Sequence, residues 1–283
     1  MRSEPEFRVM PGGASLCLAL ALGLAAPAYG QEETWRVSAG GGVVNAPKFP
    51  GSDGQRTHAL PFVSASYGRF FIGGPAAGTV GGIGVILHRD SQWRLSAAVS
   101  GGLARRRESD DPRLTGLGDV KRTVSGGLGA SYSYDWFTAR ASVASDIAGN
   151  RQGTLVRLDF RGRYRPDDRW TFSAGPGLTR ANDRYMQTFF GVDPGQSARS
   201  GLPQFDAKGG IERTRFSAGA NYRIDRHWGL GVFASVARLQ NDAAASPITE
   251  DRSQHVVGVF LTYRFGNAPG LQDAGGLTPL GTD

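Results

Sequence analysis

The stretch Val257, Gly258, Val259, Phe260, Leu261, Thr262, Tyr263, Arg264, Phe265 decides the fold. Its odd-numbered members are apolar throughout, and those between are small or polar apart from Phe260. A period of two places alternate side chains on opposite faces of a strand, so one face meets an oily medium. A tilted strand of about 9–11 residues crosses a bilayer, and a run ending in Tyr-x-Phe has the character of a closing strand in a membrane barrel. The remaining chain must then supply the other strands.

Working back from Phe265, the same alternation recurs. Trp93, Leu95, Ala97 and Val99 oppose Arg94, Ser96, Ala98 and Ser100, and Leu128, Ala130, Tyr132 and Tyr134 oppose a face of serine and glycine. Strands are predicted near 35–44, 59–67, 70–73, 80–88, 93–103, 124–134, 136–147, 155–165, 170–179, 211–224, 228–239 and 255–265. The fold class is all-β, a transmembrane antiparallel up-and-down β-barrel of about twelve strands, with ten or fourteen left open. Two regularities support it. Long and short connections alternate, as extracellular loops and periplasmic turns do. All five tryptophans, Trp35, Trp93, Trp136, Trp170 and Trp228, stand at the start of an outgoing strand. With Tyr263 and Phe265 they would form a periplasmic aromatic girdle, since an indole suits the membrane–water interface.

Composition agrees. Glycine supplies 42 of 283 residues, about twice the usual ~7% and without a collagen period. Small residues suit the inner face of a narrow barrel. The apolar run 14–28 is too short for a spanning helix and ends in small residues, so 1–30 reads as a secretory signal peptide. The barrel occupies 31–265, and the Gly- and Pro-containing tail 266–283 reads as disordered. The single cysteine, Cys17, falls in the signal, which leaves no thiol chemistry in the mature chain. The net charge of +7 is spread through strands rather than clustered on a helix, which argues against nucleic acid as a partner.

One strand carries unusual chemistry. Val156, Leu158, Phe160 and Tyr164 share one face of 155–165, and Arg157, Asp159, Arg161, Arg163 and Arg165 share the other. If the first face meets lipid, the second lines the lumen, joined by Arg215 and Arg223 from the strand 211–224. The stripe has two readings: an anion-binding or anion-selecting lumen, or arginines paired with carboxylates such as Asp159 in a filled interior. The narrowness of a twelve-stranded barrel favours the second. The loop 180–209 holds Tyr185, Phe189, Phe190 and Phe205, too many aromatics for a solvated loop. It is expected to fold back as a plug or a lid, and as a plug it would bring Asp183, Asp193 and Asp206 to the stripe.

Catalytic signals are weak. His58, His88, His227 and His255 form no metal-ligand spacing, and no metal or cofactor is expected. A pairing of His58 with Ser246 would be needed for lipase-like chemistry. Asp110, Asp111 and Asp119 lack the spacing of a calcium loop. The chain reads as non-enzymatic.

Five stretches together resemble the MipA/OmpV family of MltA-interacting proteins: Phe49-Pro50-Gly51-Ser52 with Leu60-Pro61-Phe62, Leu114 to Asp119, Tyr185 to Val192, Ser200 to Gly210, and Ser246-Pro247-Ile248 before the closing Tyr263-Arg264-Phe265. The resemblance implies an outer-membrane location in a Gram-negative bacterium. It also implies a scaffold role joining a murein-cleaving lytic transglycosylase to a murein-synthesising penicillin-binding protein. A narrow anion-preferring channel is the alternative that the arginines themselves suggest.

Overall fold

The computed structural model describes residues 35–73, 81–101, 106–150 and 152–266. The signal segment, the tail beyond Gly266, and the expected strand ends at residue 80 and at 102–103 lie outside the described residues. Twelve strands run in chain order: β1 (Arg36–Pro47), β2 (Gln55–Tyr67), β3 (Phe70–Gly73), β4 (Gly82–Arg89), β5 (Trp93–Gly101), β6 (Val124–Tyr134), β7 (Phe137–Asp146), β8 (Thr154–Tyr164), β9 (Trp170–Ala181), β10 (Gly210–Arg223), β11 (Trp228–Leu239) and β12 (Ser253–Phe265). Each pairs with its chain neighbour, and β1 pairs with β12 to close an antiparallel barrel. The closing register runs from Val37 opposite Phe265 to Asn45 opposite Val257. Closure matters because strand N–H and C=O groups find no water in a bilayer, and a closed sheet leaves no edge.

The alternation orients the wall. On β12, Val257, Val259, Leu261 and Phe265 are 42–51% exposed, whereas Phe260 is 4% exposed and points inward. Val156, Leu158 and Phe160 on β8 and Val232 and Val236 on β11 are exposed likewise. An outward apolar band around an inward face of small and charged residues is the inverse of a soluble β-sheet core, and it is what lipid requires.

β1 and β2 run furthest beyond their expected ends. Asn45, Ala46 and Pro47 of β1 continue to pair with Thr57, Arg56 and Gln55 of β2. The polar start of β2 masks the period there, because above an apolar band the outward face no longer has to be oily.

The two ends of the barrel are built differently. At one end the connections are tight, and three share one design. Oδ1 of Asp90 accepts the N–H groups of Gln92 and Trp93 at 2.8 and 2.6 Å. Asp167 does the same for Arg169 and Trp170, both at 2.7 Å. Asp225 does so for His227 and Trp228, both at 2.7 Å. A carboxylate holding two backbone donors fixes the turn and delivers an indole to the first residue of the next strand. Each such indole then packs on a tyrosine across the strand pair: Trp93 on Tyr132, Trp170 on Tyr222 and Trp228 on Tyr263, with ring centroids 4.7–5.0 Å apart. Trp35 stacks on Tyr67 at 5.0 Å, and Trp136 lies beside Phe137. The aromatic girdle residues therefore gather at the short-turn end, together with Tyr263 and Phe265 at 4.8 Å. The long loops occupy the other end.

Candidate functional site

Two features line and cover the barrel interior: a two-faced lumen and a structured cap over the long-loop end.

One side of the lumen is aromatic. Phe62 of β2, Phe233 of β11 and Phe260 of β12 lie together, with Phe260 6.1 Å from Phe62 and 5.8 Å from Phe233 between ring centroids. Val44 and Ala46 of β1 complete this cluster. Glycines make room for it. A side chain at Gly40 would strike Phe62, one at Gly42 would strike Phe260, and one at Gly258 would strike Phe233. Inward glycine is therefore the counterpart of inward phenylalanine.

The opposite side is basic. On β8, Arg157, Asp159, Arg161 and Arg163 face inward and are half-buried, as the alternation predicts. Arg165 differs, because it follows β8 in the turn and is exposed. Arg215 of β10 forms an ion pair with Asp159. The two belong to strands separated by β9, whose Gly177 lies between them, opposite Asp159 on one side and Arg215 on the other. A Cβ at Gly177 would lie 3.1 Å from Arg215 Nε, so the glycine is the gap through which the pair meets. Arg223 sits at the short-turn rim, where its guanidinium donates to the carbonyl of Asp168.

Further charges belong to this wall. Arg94 of β5 and Arg140 of β7 share the inward register through Ser131, and Arg140 stands opposite Asp159. Their parity was legible in the alternation. Glu212 was not, because it sits in a β-bulge between Ile211 and Arg213 that breaks the period. The bulge turns two successive residues inward. Glu212 is fully buried and accepts from Arg213 Nε at 2.9 and 2.7 Å.

The cap is a lid with its own hydrophobic core. The loop after β9 forms two helices, α1 (Asp183–Phe190) and α2 (Pro194–Ser200). Asn182 caps α1 by accepting from Tyr185 N–H at 3.0 Å. Asp193 caps α2, and Gly201, at φ 74°, ends it. Tyr185, Met186, Phe189 and Phe190 of α1 pack on Ala181, Leu239 and Ala243. Val192 joins Phe49, Leu114, Leu117 and Ile248 in a second cluster. Four loops thus contribute to one cap. Polar ties cross it: Gly51 N–H to Gln254 Oε1 at 3.1 Å, Gln196 Nε2 to Leu117 O at 2.6 Å and Ser246 Oγ to Phe190 O at 2.6 Å. A third helix, α3 (Asn241–Ala245), underlies α1.

Arg106 fastens the lid. It is 2% exposed, and its guanidinium donates to Phe189 O at 2.6 Å, at the carbonyl end of α1. A cation there is favoured by the unpaired carbonyls of a helix C-terminus. Burial pulls its pKa down to about 10, so it stays charged at neutral pH. No pattern in the sequence marks it, because its partners are 83 residues away.

The expected loop partners do not reach the arginine stripe. Asp183 accepts from Gly209 N–H, Asp193 caps α2, and Asp206 pairs with Lys208. Each carboxylate is held by backbone or a neighbour within the loop, because the loop folds as a lid and does not descend as a plug. Asp110 and Asp111 bind Arg56 and Lys48, both at 2.9 Å, and stitch their loop to β2 and to the loop that follows β1. Ser246 is buried inside the cap and bonded to Phe190 and Ile248, while His58 is exposed on β2.

A closed twelve-stranded barrel with an outward apolar band, an aromatic ring at its short-turn end and a cap at the other is an outer-membrane β-barrel protein. Residues 39–265 match the family model described as MltA-interacting protein MipA, and the chain belongs to that family. It is 24% identical to the "MltA-interacting protein" of Escherichia coli K12 over 253 residues, which covers 88% of this chain and 98% of that protein. It is 22% identical to the "Putative outer membrane protein YiaT" of the same organism, covering 75% of this chain and 83% of that one. Among solved structures the NanC porin aligns with a TM-score of 0.42 and 10% identity, over 81% of this chain and all of NanC. The stretches that carried the family resemblance, from Phe49 to Ile248, are largely the ones that build the lid core.

Proposed function

We propose that this protein is a non-enzymatic, non-conducting outer-membrane scaffold whose periplasmic rim docks murein enzymes: a lytic transglycosylase, and with it a penicillin-binding protein. The observation that carries this reading is the lid. Its helices and loops share a buried core in which Met186, Phe190, Leu114 and Ile248 are fully enclosed, an arrangement suited to a fixed cover and not to a mobile gate. The family relationship to a protein named for its interaction with MltA supplies the partner class. The short turns supply a rigid docking face, because Asp90, Asp167 and Asp225 fix their geometry. The test is photo-crosslinking in cells from positions 91, 168 and 226 in those turns and from position 69 in the turn between β2 and β3. Capture of a lytic transglycosylase is expected. A protein that folds, inserts and captures no murein enzyme from any of the four positions would overturn the scaffold.

The arginines favour a second reading, a narrow anion-preferring channel. Arg157, Arg161, Arg163 and Arg215 face the lumen, and Arg165 and Arg223 lie at its short-turn mouth. Planar-bilayer conductance of the refolded barrel separates the two. Silence supports the scaffold. Stable anion-selective openings that shrink in Arg161→Ala support the channel.

A further inference from the structure

The outward face of the barrel changes character toward the lid, and it does so on one side only. Phe216 of β10 and Val236 of β11 lie side by side in the apolar band, both exposed. The next outward row toward the lid holds Leu178, Thr214, Arg238 and Ser253, one from each of β9 to β12. Arg180 stands one outward position beyond Leu178, in register with the exposed Val156 of β8. His255 stands beside Val236. On β5 to β8 the outward lid-end positions are Val99, Val124, Ser145 and Thr154, which carry no charge.

Arg180 and Arg238 are exposed, and neither side chain engages a carboxylate among the described residues. The lid carboxylates that follow these strands, Asp183 and Asp242, are held by the backbone N–H groups of Gly209 and Lys208. Thr214 lies between the two arginines and accepts from Gln240 Nε2 at 3.1 Å, so its O–H is left to donate outward. The arginines flank β10, about 10 Å apart across the sheet and about 7 Å along it, a separation that two extended side chains bridge. The rim also lacks what the other end has. Barrels carry aromatic girdles at both interfaces, yet all five tryptophans here belong to the short-turn end, and Tyr185 at the lid end is buried in the cap. On β9 to β12 cations stand where indoles would otherwise anchor the wall.

We infer that Arg180, Thr214 and Arg238 form a docking site on the outer wall for a lipid whose headgroup carries two phosphate groups, seated with its acyl chains along Phe216 and Val236. The patch is continuous with the lipid-facing band, so its occupant is itself a lipid. Long loops face away from the cell in such barrels, which puts the site in the outer leaflet. A guanidinium offers phosphate two parallel N–H donors. Two guanidiniums without a protein carboxylate call for two negative groups, whereas a zwitterionic headgroup brings its own cation. The site stands apart from the scaffold reading.

The test uses the full-length folded barrel in a neutral detergent, titrated with lipid A bearing two phosphates and followed by native mass spectrometry. The parent is expected to retain the lipid, and the double variant Arg180→Gln, Arg238→Gln to bind it about thirtyfold more weakly, at a ~fivefold loss for each charge at a lipid surface. Arg199→Gln removes the same charge from the exposed face of α2 and is expected to bind as the parent does. Monophosphoryl lipid A should bind the parent more weakly, and phosphatidylethanolamine more weakly again. Equal affinity of the parent and the double variant for lipid A would overturn the inference, as would equal binding of lipid A and phosphatidylethanolamine. Heat-dependent gel mobility reports whether the double variant has folded. If it has not, Arg238→Gln alone decides: a loss of about fivefold supports the site, and unchanged binding refutes it.

Discussion

The short-turn end and the lid end of this barrel solve the same problem, closing a strand onto its neighbour, by opposite means. The turns are made by residues two and three apart, with Asp90, Asp167 and Asp225 each holding the backbone of the tryptophan that follows. The lid is tied together by residues far apart in the chain, such as Ser246 with Phe190, 56 positions away, and Gly51 with Gln254, 203 away. The first kind of structure needs only its own hexapeptide. The second exists only once the barrel has brought four loops to one place. The lid should therefore yield to single substitutions that leave the barrel closed, and the turns should not.

The largest expected effect comes from the lid core. Phe190→Ala removes a fully buried ring and should cost the lid about 3–5 kcal/mol. Protease should then cut within 182–209, while the barrel keeps its heat-dependent gel mobility. Cleavage no faster than in the parent would mean that the cap is not a cooperative unit.

Arg106→Met comes next. It deletes the donor to Phe189 O, and a hydrogen bond involving a charged group contributes about 1.5–3 kcal/mol. Hydrogen exchange at the end of α1 should accelerate, with the turn end unchanged. If exchange rises equally at both ends, the two regions are not separable.

The middle of the barrel is probed by Gly177→Ala. The added carbon would lie 3.1 Å from Arg215 Nε and against Asp159, so the pair must part or shift. The ion pair is partly exposed, with side-chain exposures of 22% and 30%. That limits the loss to about 1 kcal/mol, read as a lower midpoint in urea. In the Asp159→Asn background, where the charge pair is already gone, the same substitution should cost less.

The smallest effect belongs to the turns. The N–H groups of Trp93, Trp170 and Trp228 hold the carboxyls of Asp90, Asp167 and Asp225 below the usual carboxylate range, Asp90 to about 2. A carboxyl whose pKa is depressed by folding stabilises the folded state above its unfolded value, ~3.9, and loses that contribution as pH falls toward the folded value. Melting temperature should thus drop between about pH 4 and pH 2. The triple variant Asp90→Asn, Asp167→Asn, Asp225→Asn should show a shallower drop over that window. Parallel curves would show that the turns owe nothing to these charges.

How much of this was legible follows from the range of each interaction. The strands, their inward and outward faces and the tryptophan ring rest on period-two patterning, and β8 shows it best: Val156, Leu158 and Phe160 face out while Arg157, Asp159 and Arg161 face in. The Asp-x-x-Trp turns were also written in the chain, three residues before Trp93, Trp170 and Trp228. Glu212 was hidden because a bulge interrupts the period that would have revealed its face. Arg106 was hidden because nothing local distinguishes a lid latch from a loop arginine.

By itself, then, the sequence determined a closed barrel with a lipid face, since alternation and turn chemistry act over a few residues and are set before any long-range contact forms. Only the tertiary structure decided what fills and covers that barrel. It set phenylalanines over glycines on β1 and β12, and it passed Arg215 across Gly177 to Asp159. It also locked α1 under Arg106. Those outcomes depend on strand register and closure, which place side chains from distant parts of the chain within a few ångströms of one another.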